Sequence, residues 1–154
     1  MSIHPSEATS ERQQFFYLRD KDFQRIGVFM FRRVQNDRLC SAISLCSVND
    51  FWNNEYGVSR AYGKLCSKDR HHTTYLLQLL DGGKPPQDNS GGFFTDLYFN
   101  TVKTSLLRTA HSGADVFDNT RRINQTLAIE ILERQVKKMF SDVYASFETM
   151  HKML

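Results

Sequence analysis

Cysteine, proline and tryptophan are scarce in this sequence, and long apolar runs are missing. The 154 residues include three cysteines, three prolines and one tryptophan. These numbers exclude a collagen-like chain and a small disulfide scaffold. No run approaches the roughly 18 consecutive apolar residues of a membrane-spanning helix. Residues 1–14 contain no basic segment followed by an apolar one, so we expect no secretory signal.

What remains is the composition of an ordinary globular domain. Hydrophobic residues make up 40% of the chain and charged residues 24%, and a chain of this length fits one domain. We expect a flexible tail over residues 1–13 and a single α+β domain over residues 14–154. The formal net charge of +3 is weakly basic and by itself indicates no particular partner.

The cysteines predict free thiols. Their number is odd and no CxxC pair occurs, which argues against a closed set of disulfides and against a zinc ribbon. Cys40 and Cys46 fall in one predicted strand, where six residues span about 20 Å, far beyond disulfide reach. We expect three reduced thiols, two of them in the core, in a cytoplasmic protein that binds no zinc.

Residues 14–80 have the pattern of a sheet followed by a helix. Residues 15–18 suggest an edge strand, and the β-rich runs 26–34 and 39–47 around a short polar link predict a hairpin. Strand alternation places Phe29 and Phe31 on one face and Ile26, Val28 and Met30 on the other. Residues 54–66 suggest a helix, residues 73–80 fit either a strand or a helix, and residues 81–92 suggest a loop.

Residues 93–154 have helical periodicity. A first helix is predicted by apolar residues that recur every four positions from Phe94. An apolar stripe from Ile123 to Met150 then predicts a helix over residues 120–152 of roughly 50 Å, started by Asp118 or Asn119. Such a helix either breaks once or packs against a second copy. The predicted fold is therefore α+β: a small antiparallel sheet of three or four strands, one packed helix and two C-terminal helices, the last one long.

The long stripe suggests a homodimer. The predicted dimer interface consists of Val136, Phe140, Val143 and Phe147. In the alternative, the stripe packs within one chain on the preceding helix.

The densest basic stretch suggests a binding surface for single-stranded nucleic acid. Arginine and lysine neutralise phosphates, and neighbouring aromatic rings can stack on bases. The basic or histidine residues are Arg60, Lys64, Lys68, Arg70, His71 and His72, and the aromatic ones are Phe51, Trp52, Tyr56 and Tyr62. A solvated helix face is the competing interpretation. For Trp52 we favour an anchor in the core or at an interface.

His71 and His72 raise the alternative of a small hydrolase or nuclease, since imidazole suits proton transfer and metal binding. Adjacent residues on a strand point to opposite faces, which makes a shared site difficult. We therefore predict no catalytic residue, no metal site and no cofactor.

Residues 46–65 resemble a pattern in small uncharacterised proteins of tailed bacteriophages. In that pattern a strand ends in Cys, an Asp and an aromatic residue follow, and a helix then carries Gly, Ala and a closing Gly-(Arg/Lys)-Leu. The matching residues are Cys46, Asp50, Trp52, Gly57, Ala61, Gly63, Lys64 and Leu65, with Lys64 in place of the more usual Arg and Val58 where a basic residue often follows the Gly. The resemblance covers about 20 of the 154 residues and implies phage-type ancestry without an assigned activity.

Two structural roles follow from the residues themselves. Gly57 and Ala61 give the helix a smooth face for close approach to the strand that ends at Cys46, and Asp50 is placed to accept the first backbone N–H groups of the helix.

The function we expect first is that of a non-enzymatic, phage-type accessory protein that binds a host macromolecule in the host cytoplasm, either a host protein or single-stranded nucleic acid, with inhibition of a host defence or regulatory factor as one form of action. The nucleic-acid-binding protein is the second hypothesis and the hydrolase or nuclease is the third.

Overall fold

The computed structural model describes residues 12–35, 37–46, 51–67, 69–75, 92–108 and 122–153. It confirms the α+β fold, with a four-stranded antiparallel sheet and helices before and after its last strand. The elements in chain order are β1 (Gln14–Arg19), β2 (Arg25–Val34), β3 (Arg38–Leu45), α1 (Asn54–Cys66), β4 (His72–Tyr75), α2 (Gly92–Arg108), α3 (Gln125–Met139) and α4 (Ser141–Met153).

The sheet is a simple meander in which each strand pairs with the next, in the order β1-β2-β3-β4. The predicted hairpin is confirmed, with Phe29 opposite Ile43 and Val34 opposite Arg38. β4 includes residues 73–75 of the ambiguous segment, and it places Thr73 opposite Cys40. The rest of that segment, and the predicted loop up to residue 91, lie outside the described residues.

A bulge in β2 corrects one prediction about side-chain direction. Leu18 pairs with Gly27, but Arg19 pairs with Arg25, so Ile26 is an extra residue in β2. Such a residue reverses the alternation of side chains along a strand. Ile26 therefore lies in the same core cluster as Phe29 and Phe31 rather than with Val28 and Met30.

Helices cover both faces of the sheet. α1 packs on β2 and β3 from one side, where the core consists of Val28, Met30, Val34, Cys40, Ala42, Ala61 and Leu65. On the other side α2 packs on β3 and α3 packs on α2, around a larger core centred on Phe29, Phe31, Tyr98, Leu132 and Phe140.

The predicted long C-terminal helix is divided at Phe140 into α3 and α4. The helix α3 also begins at Gln125 rather than at residue 120. The side chain of Asn124 caps it by accepting a hydrogen bond from the backbone N–H of Leu127 at 3.2 Å. Asp118 and Asn119, the predicted caps, lie outside the described residues.

The structure places most of the predicted dimer interface inside one chain. Val136 and Phe140 are fully buried in the core shared with α2 and the sheet, and Val143 packs against that same core. The intramolecular alternative therefore accounts for these three residues, and the first two are not accessible to a second copy. The side chain of Phe147 lies outside the described part of the chain.

The described residues include no helix that is long and apolar enough to cross a bilayer. All three cysteines are free thiols. Only Cys40 is buried, since Cys46 is half-buried and Cys66 is exposed, so the expectation of two core cysteines is wrong for one of them.

Candidate nucleic-acid interface

A cleft of about 290 Å³ lies between the end of β3 and the first two turns of α1. We call it the α1 cleft. It is lined by Ser44, Leu45, Cys46, Phe51, Trp52, Asn53, Tyr56, Gly57 and Arg60. Its volume is at the lower end of the roughly 300–1,000 Å³ typical of small-molecule pockets, so it suits one planar group rather than a large ligand.

Aromatic rings that reach solvent dominate the rim of the α1 cleft. Phe51 is 99% exposed and Tyr56 is 63% exposed. The Arg60 guanidinium lies 5.6 Å from the centroid of the Tyr56 ring, one helical turn away on α1. Exposed aromatic rings beside a guanidinium offer stacking and positive charge together, which is the chemistry that binds unpaired nucleobases.

Trp52 forms a fixed wall of the α1 cleft. It packs against the core between α1 and the sheet, and its ring meets the ring of Tyr17 edge-on at 6.1 Å between centroids. Its indole N–H donates to the side-chain carbonyl of Asn54. The predicted role of Trp52 as an anchor is confirmed in this packing, and the exposed rings of Phe51 and Tyr56 are the candidates for stacking.

Gly57 makes room for the Trp52 ring. A Cβ atom at Gly57 would lie 2.5 Å from Cη2 of Trp52, which is closer than real Cβ contacts allow. Gly57 therefore allows the Trp52 ring to pack closely on α1. Ala61 is the small residue that is buried against the sheet core.

Asn53 caps α1. The Asn53 side chain accepts a hydrogen bond from the backbone N–H of Tyr56 at 2.9 Å. This cap sets the start of the helix and hence the position of Tyr56 beside the cleft. Asp50 lies outside the described residues.

The predicted basic stretch does not form one surface. Arg60 lines the α1 cleft and Arg70 is exposed beyond the end of α1, while Lys68 lies outside the described residues. Lys64 is only 7% exposed, and its ammonium group donates to the backbone carbonyl of Ile43 at 3.0 Å. Burial, followed by the charges of Arg60 and Arg70, lowers the pKa of Lys64 to about 8, so Lys64 is not a surface ligand.

The α1 side of the sheet is nevertheless basic. Besides Arg60 and Arg70, the Arg25 guanidinium lies 4.1 Å from the centroid of the Tyr17 ring. Arg32 and Arg38 lie on the same side near Cys40. In the described parts of residues 25–75 the acidic residues are Asp37, Glu55 and Asp69. This surplus of positive charge favours a polyanionic partner.

A second, more open groove of about 490 Å³ continues this surface on the other side of Trp52 and Tyr17. It is lined by Gln13, Tyr17, Met30, Asn54, Glu55, Val58, Ser59 and Tyr62. Because Tyr17 lines this groove and its ring meets that of Trp52 in the α1 cleft, the two depressions are neighbours.

His72 is the first residue of β4 and pairs with Ser41, whereas His71 precedes the strand. His71 has a cysteine neighbour that the sequence interpretation missed. Its Nδ1 donates to the carbonyl oxygen of Ser67, and Cys40 and His71 act on each other's pKa. The Cys40 sulfur also lies 3.7 Å from the Thr73 hydroxyl.

Cys40 and His71 shift each other's pKa. Burial opposes ionisation of Cys40, but hydrogen bonds with His71 and Thr73 and the charges of His71 and Arg38 hold the pKa of the thiol below its ordinary value. The hydrogen bond to Cys40 raises the pKa of His71 in spite of burial. For His72, burial and then the charge of His71 lower the pKa.

Within the described ranges, no group of three or more histidine, cysteine, aspartate or glutamate side chains is placed to hold a metal ion. Comparison with protein-family models, with curated proteins and with solved structures finds no match to this chain.

Proposed function

We propose that this protein binds single-stranded nucleic acid, with the α1 cleft as the place where a base is held. The observation that carries the proposal is the meeting of Phe51, Tyr56 and Arg60 at one cleft on the basic side of the sheet. Exposed rings accept any base by stacking, and the arginines around them neutralise the backbone. The neighbouring groove beside Tyr17 and Tyr62 extends the path of the strand.

The test is titration of a fluorescent single-stranded oligonucleotide of about 12 nucleotides, a length within the usual site sizes. Trp52 is the sole tryptophan of the chain and lines the cleft, so quenching of its fluorescence reports occupation of this site. Tyr56→Ala should weaken binding by roughly 5- to 100-fold, which corresponds to the loss of one stacked base. Arg60→Ala should reduce the slope of log affinity against log salt by about 1.

Matched controls are found away from the cleft. Phe99 is an exposed aromatic residue on α2 and Arg134 is an exposed arginine on α3, both across the sheet. Phe99→Ala and Arg134→Ala should bind like wild type. Equal losses of affinity in the control and cleft variants would show that the binding site lies outside the α1 cleft. Absence of salt-dependent binding at about 100 μM protein would overturn the proposal.

The phage-type accessory protein that binds and inhibits a host protein is the alternative proposal. Its support is the resemblance of residues 46–65, which includes Cys46, Trp52 and Gly57 of the α1 cleft. The same titration separates the two proposals, because a surface built for a protein partner has no reason to show a salt slope with oligonucleotides. The three free thiols support a reducing compartment, the cytoplasm, as the place of action in either case.

A further inference from the structure

We propose that Phe23, in the turn between β1 and β2, is a second stacking residue for the single strand, outside the α1 cleft. This inference rests on the proposed function and adds one base-binding position to it. The observation is an aromatic ring that is held at the surface by a backbone conformation which phenylalanine seldom adopts. Phe23 has a φ of 61° and is 60% exposed.

The turn that carries Phe23 is a hairpin loop with a defined place for glycine. The backbone N–H of Phe23 donates to the carbonyl oxygen of Asp20 at 3.0 Å, and the N–H of Asp20 donates to the carbonyl oxygen of Gln24 at 2.9 Å. This bonding is typical of a type I turn over residues 21 and 22 that is followed by one residue in the left-handed region. Glycine is the usual residue at that last position, because a side chain there is strained.

Side chains fix the turn around Phe23. The carboxylate of Asp20 accepts hydrogen bonds from the backbone N–H groups of Asp22 and Gln24, each at 2.9 Å. A terminal nitrogen of Arg19 donates to the carbonyl oxygen of Phe23 at 2.7 Å. The backbone that presents the ring is therefore ordered before a ligand arrives, which reduces the entropy lost on binding.

The strained backbone is what singles out Phe23, since an exposed apolar residue by itself is ordinary. Glycine or asparagine would hold the same turn at a lower cost, because these residues enter the left-handed region more readily. Strained residues of this kind cluster at binding and active sites. We therefore assign the Phe23 ring to a ligand rather than to the stability of the turn.

The turn lies at the same end of the sheet as the α1 cleft. The backbone N–H of Cys46, which lines the cleft, donates to the carbonyl oxygen of Ile26 at 2.8 Å. The guanidinium of Arg25 lies 4.1 Å from the centroid of the Tyr17 ring, and that ring meets Trp52 edge-on. These contacts join the start of β2, directly after the turn, to the wall of the cleft.

Positive charge surrounds the Phe23 ring. Arg19 and Arg25 are paired across β1 and β2, and Lys21 is exposed in the turn itself. Of the acidic residues in the turn, Asp20 is buried and Asp22 is exposed. Cations beside an exposed ring are the combination that binds an unpaired base together with its phosphates.

The experiment compares the oligonucleotide of about 12 nucleotides with a dinucleotide, using the full chain and the fluorescence of Trp52. Stacked bases lie about 3.4 Å apart, whereas the Tyr17 ring alone is 6.1 Å from Trp52, so a dinucleotide in the cleft does not extend to the turn. Phe23→Asn should weaken binding of the longer strand by roughly 5- to 100-fold, the value of one stacked base, and leave dinucleotide binding unchanged. Phe23→Tyr keeps an aromatic ring and should bind both like wild type.

Gln35 provides the matched control for relief of backbone strain. It has a φ of 59° and is exposed in the link between β2 and β3, at the opposite end of the sheet. Phe23→Asn and Gln35→Asn should each keep the melting temperature of wild type or raise it by up to about 4 °C. Only Phe23→Asn should lose affinity for the longer strand.

The outcomes separate this inference from the proposed function. Wild-type affinity of Phe23→Asn for the longer strand, with Tyr56→Ala still weakened, would overturn the role of Phe23 and leave the α1 cleft as the binding site. A lower melting temperature in Phe23→Asn, or an equal loss with both ligands, would show that the ring supports the fold or the cleft and would also overturn that role. Wild-type protein that does not bind the longer strand would overturn both proposals.

Discussion

Arg33 and Asp142 form a two-pronged ion pair that ties the sheet to the break between α3 and α4. The two terminal nitrogens of Arg33 donate to the two carboxylate oxygens of Asp142 at 3.1 and 2.9 Å. One of them also donates to the carbonyl oxygen of Met139, the last residue of α3, at 3.2 Å. The guanidinium lies 4.7 Å from the centroid of the Phe140 ring. A single buried arginine therefore binds the end of one helix and the start of the next.

We expect the two partners to contribute unequally to stability. The Arg33 side chain is 10% exposed and that of Asp142 is 66% exposed. Arg33→Met leaves the Met139 carbonyl without this donor and should cost roughly 1–3 kcal/mol. Asp142→Asn leaves an arginine that keeps its bond to Met139 and should cost less than about 1 kcal/mol. Urea unfolding of both variants at neutral pH measures the difference, and a larger loss in Asp142→Asn would contradict it.

The same pair predicts a pH dependence. The hydrogen bond and charge of Arg33 lower the pKa of Asp142, so the folded state binds this proton more weakly than the unfolded state. The resulting stability is fully present above the unfolded value of about 3.9 and is lost as the pH falls through the lower folded value. The difference in stability between wild type and Asp142→Asn should hold steady from pH 7 to about pH 5 and shrink below about pH 4. A difference that grows on acidification would disprove the assignment.

The sequence pattern predicts the fold well where a residue's contacts are with residues close to it in the sequence. The hairpin and the bounds of α1 follow from alternation, polar links and helix composition. The division at Phe140 is different, because residues 120–154 contain neither glycine nor proline. At this division the Arg33 side chain, more than 100 positions earlier in the sequence, donates a hydrogen bond to the Met139 carbonyl. In a continuous helix that carbonyl would accept from a backbone N–H of the next turn. No periodicity within the helix carries that information.

The candidate site shows the same division between local and long-range information. The stretch with Arg60, Tyr56 and Trp52 is visible as a mixture of basic and aromatic residues, and these three residues do meet at one cleft. Burial of Lys64 was not predictable, because it depends on the carbonyl of Ile43 at the edge of β3. The contact of Cys40 with Thr73 likewise requires the register of β3 against β4, which the sequence does not specify.

Lys64 should be replaceable by an apolar residue without loss of stability. The shift of its pKa from 10.5 to about 8 corresponds to about 3 kcal/mol of cost for holding the charge in a buried position. The Ile43 carbonyl keeps a second donor, the Ser105 hydroxyl at 3.2 Å. Lys64→Met should therefore be as stable as wild type or more stable by roughly 1–3 kcal/mol at pH 7, measured by urea unfolding.

The advantage of Lys64→Met should decline as the pH rises. Between about pH 8 and 10.5 the unfolded chain holds the Lys64 proton and the folded chain has released it, so wild type gains stability with pH across this window. Ser105→Ala is the matched control, because it removes the other donor to the same carbonyl. The double variant should lose more than the sum of the single changes, since it leaves the carbonyl without either donor. An additive result would show that the two donors are not coupled.

Two glycines of α1 should respond in opposite ways to alanine. Alanine is favoured over glycine inside a helix by roughly 0.5–1 kcal/mol, and a Cβ at Gly63 meets no atom within 4 Å. Gly63→Ala should therefore stabilise the protein by about that amount.

At Gly57 the new methyl would lie 2.5 Å from the Trp52 ring, which is held by Tyr17 and Asn54. Gly57→Ala should destabilise the protein despite the better helix former, by roughly 1–3 kcal/mol of overpacking, and should shift the fluorescence of Trp52. Thermal unfolding with tryptophan emission as the signal measures both effects on the same helix. Stabilisation by both substitutions would show that the Trp52 ring yields easily and is not a fixed wall of the α1 cleft.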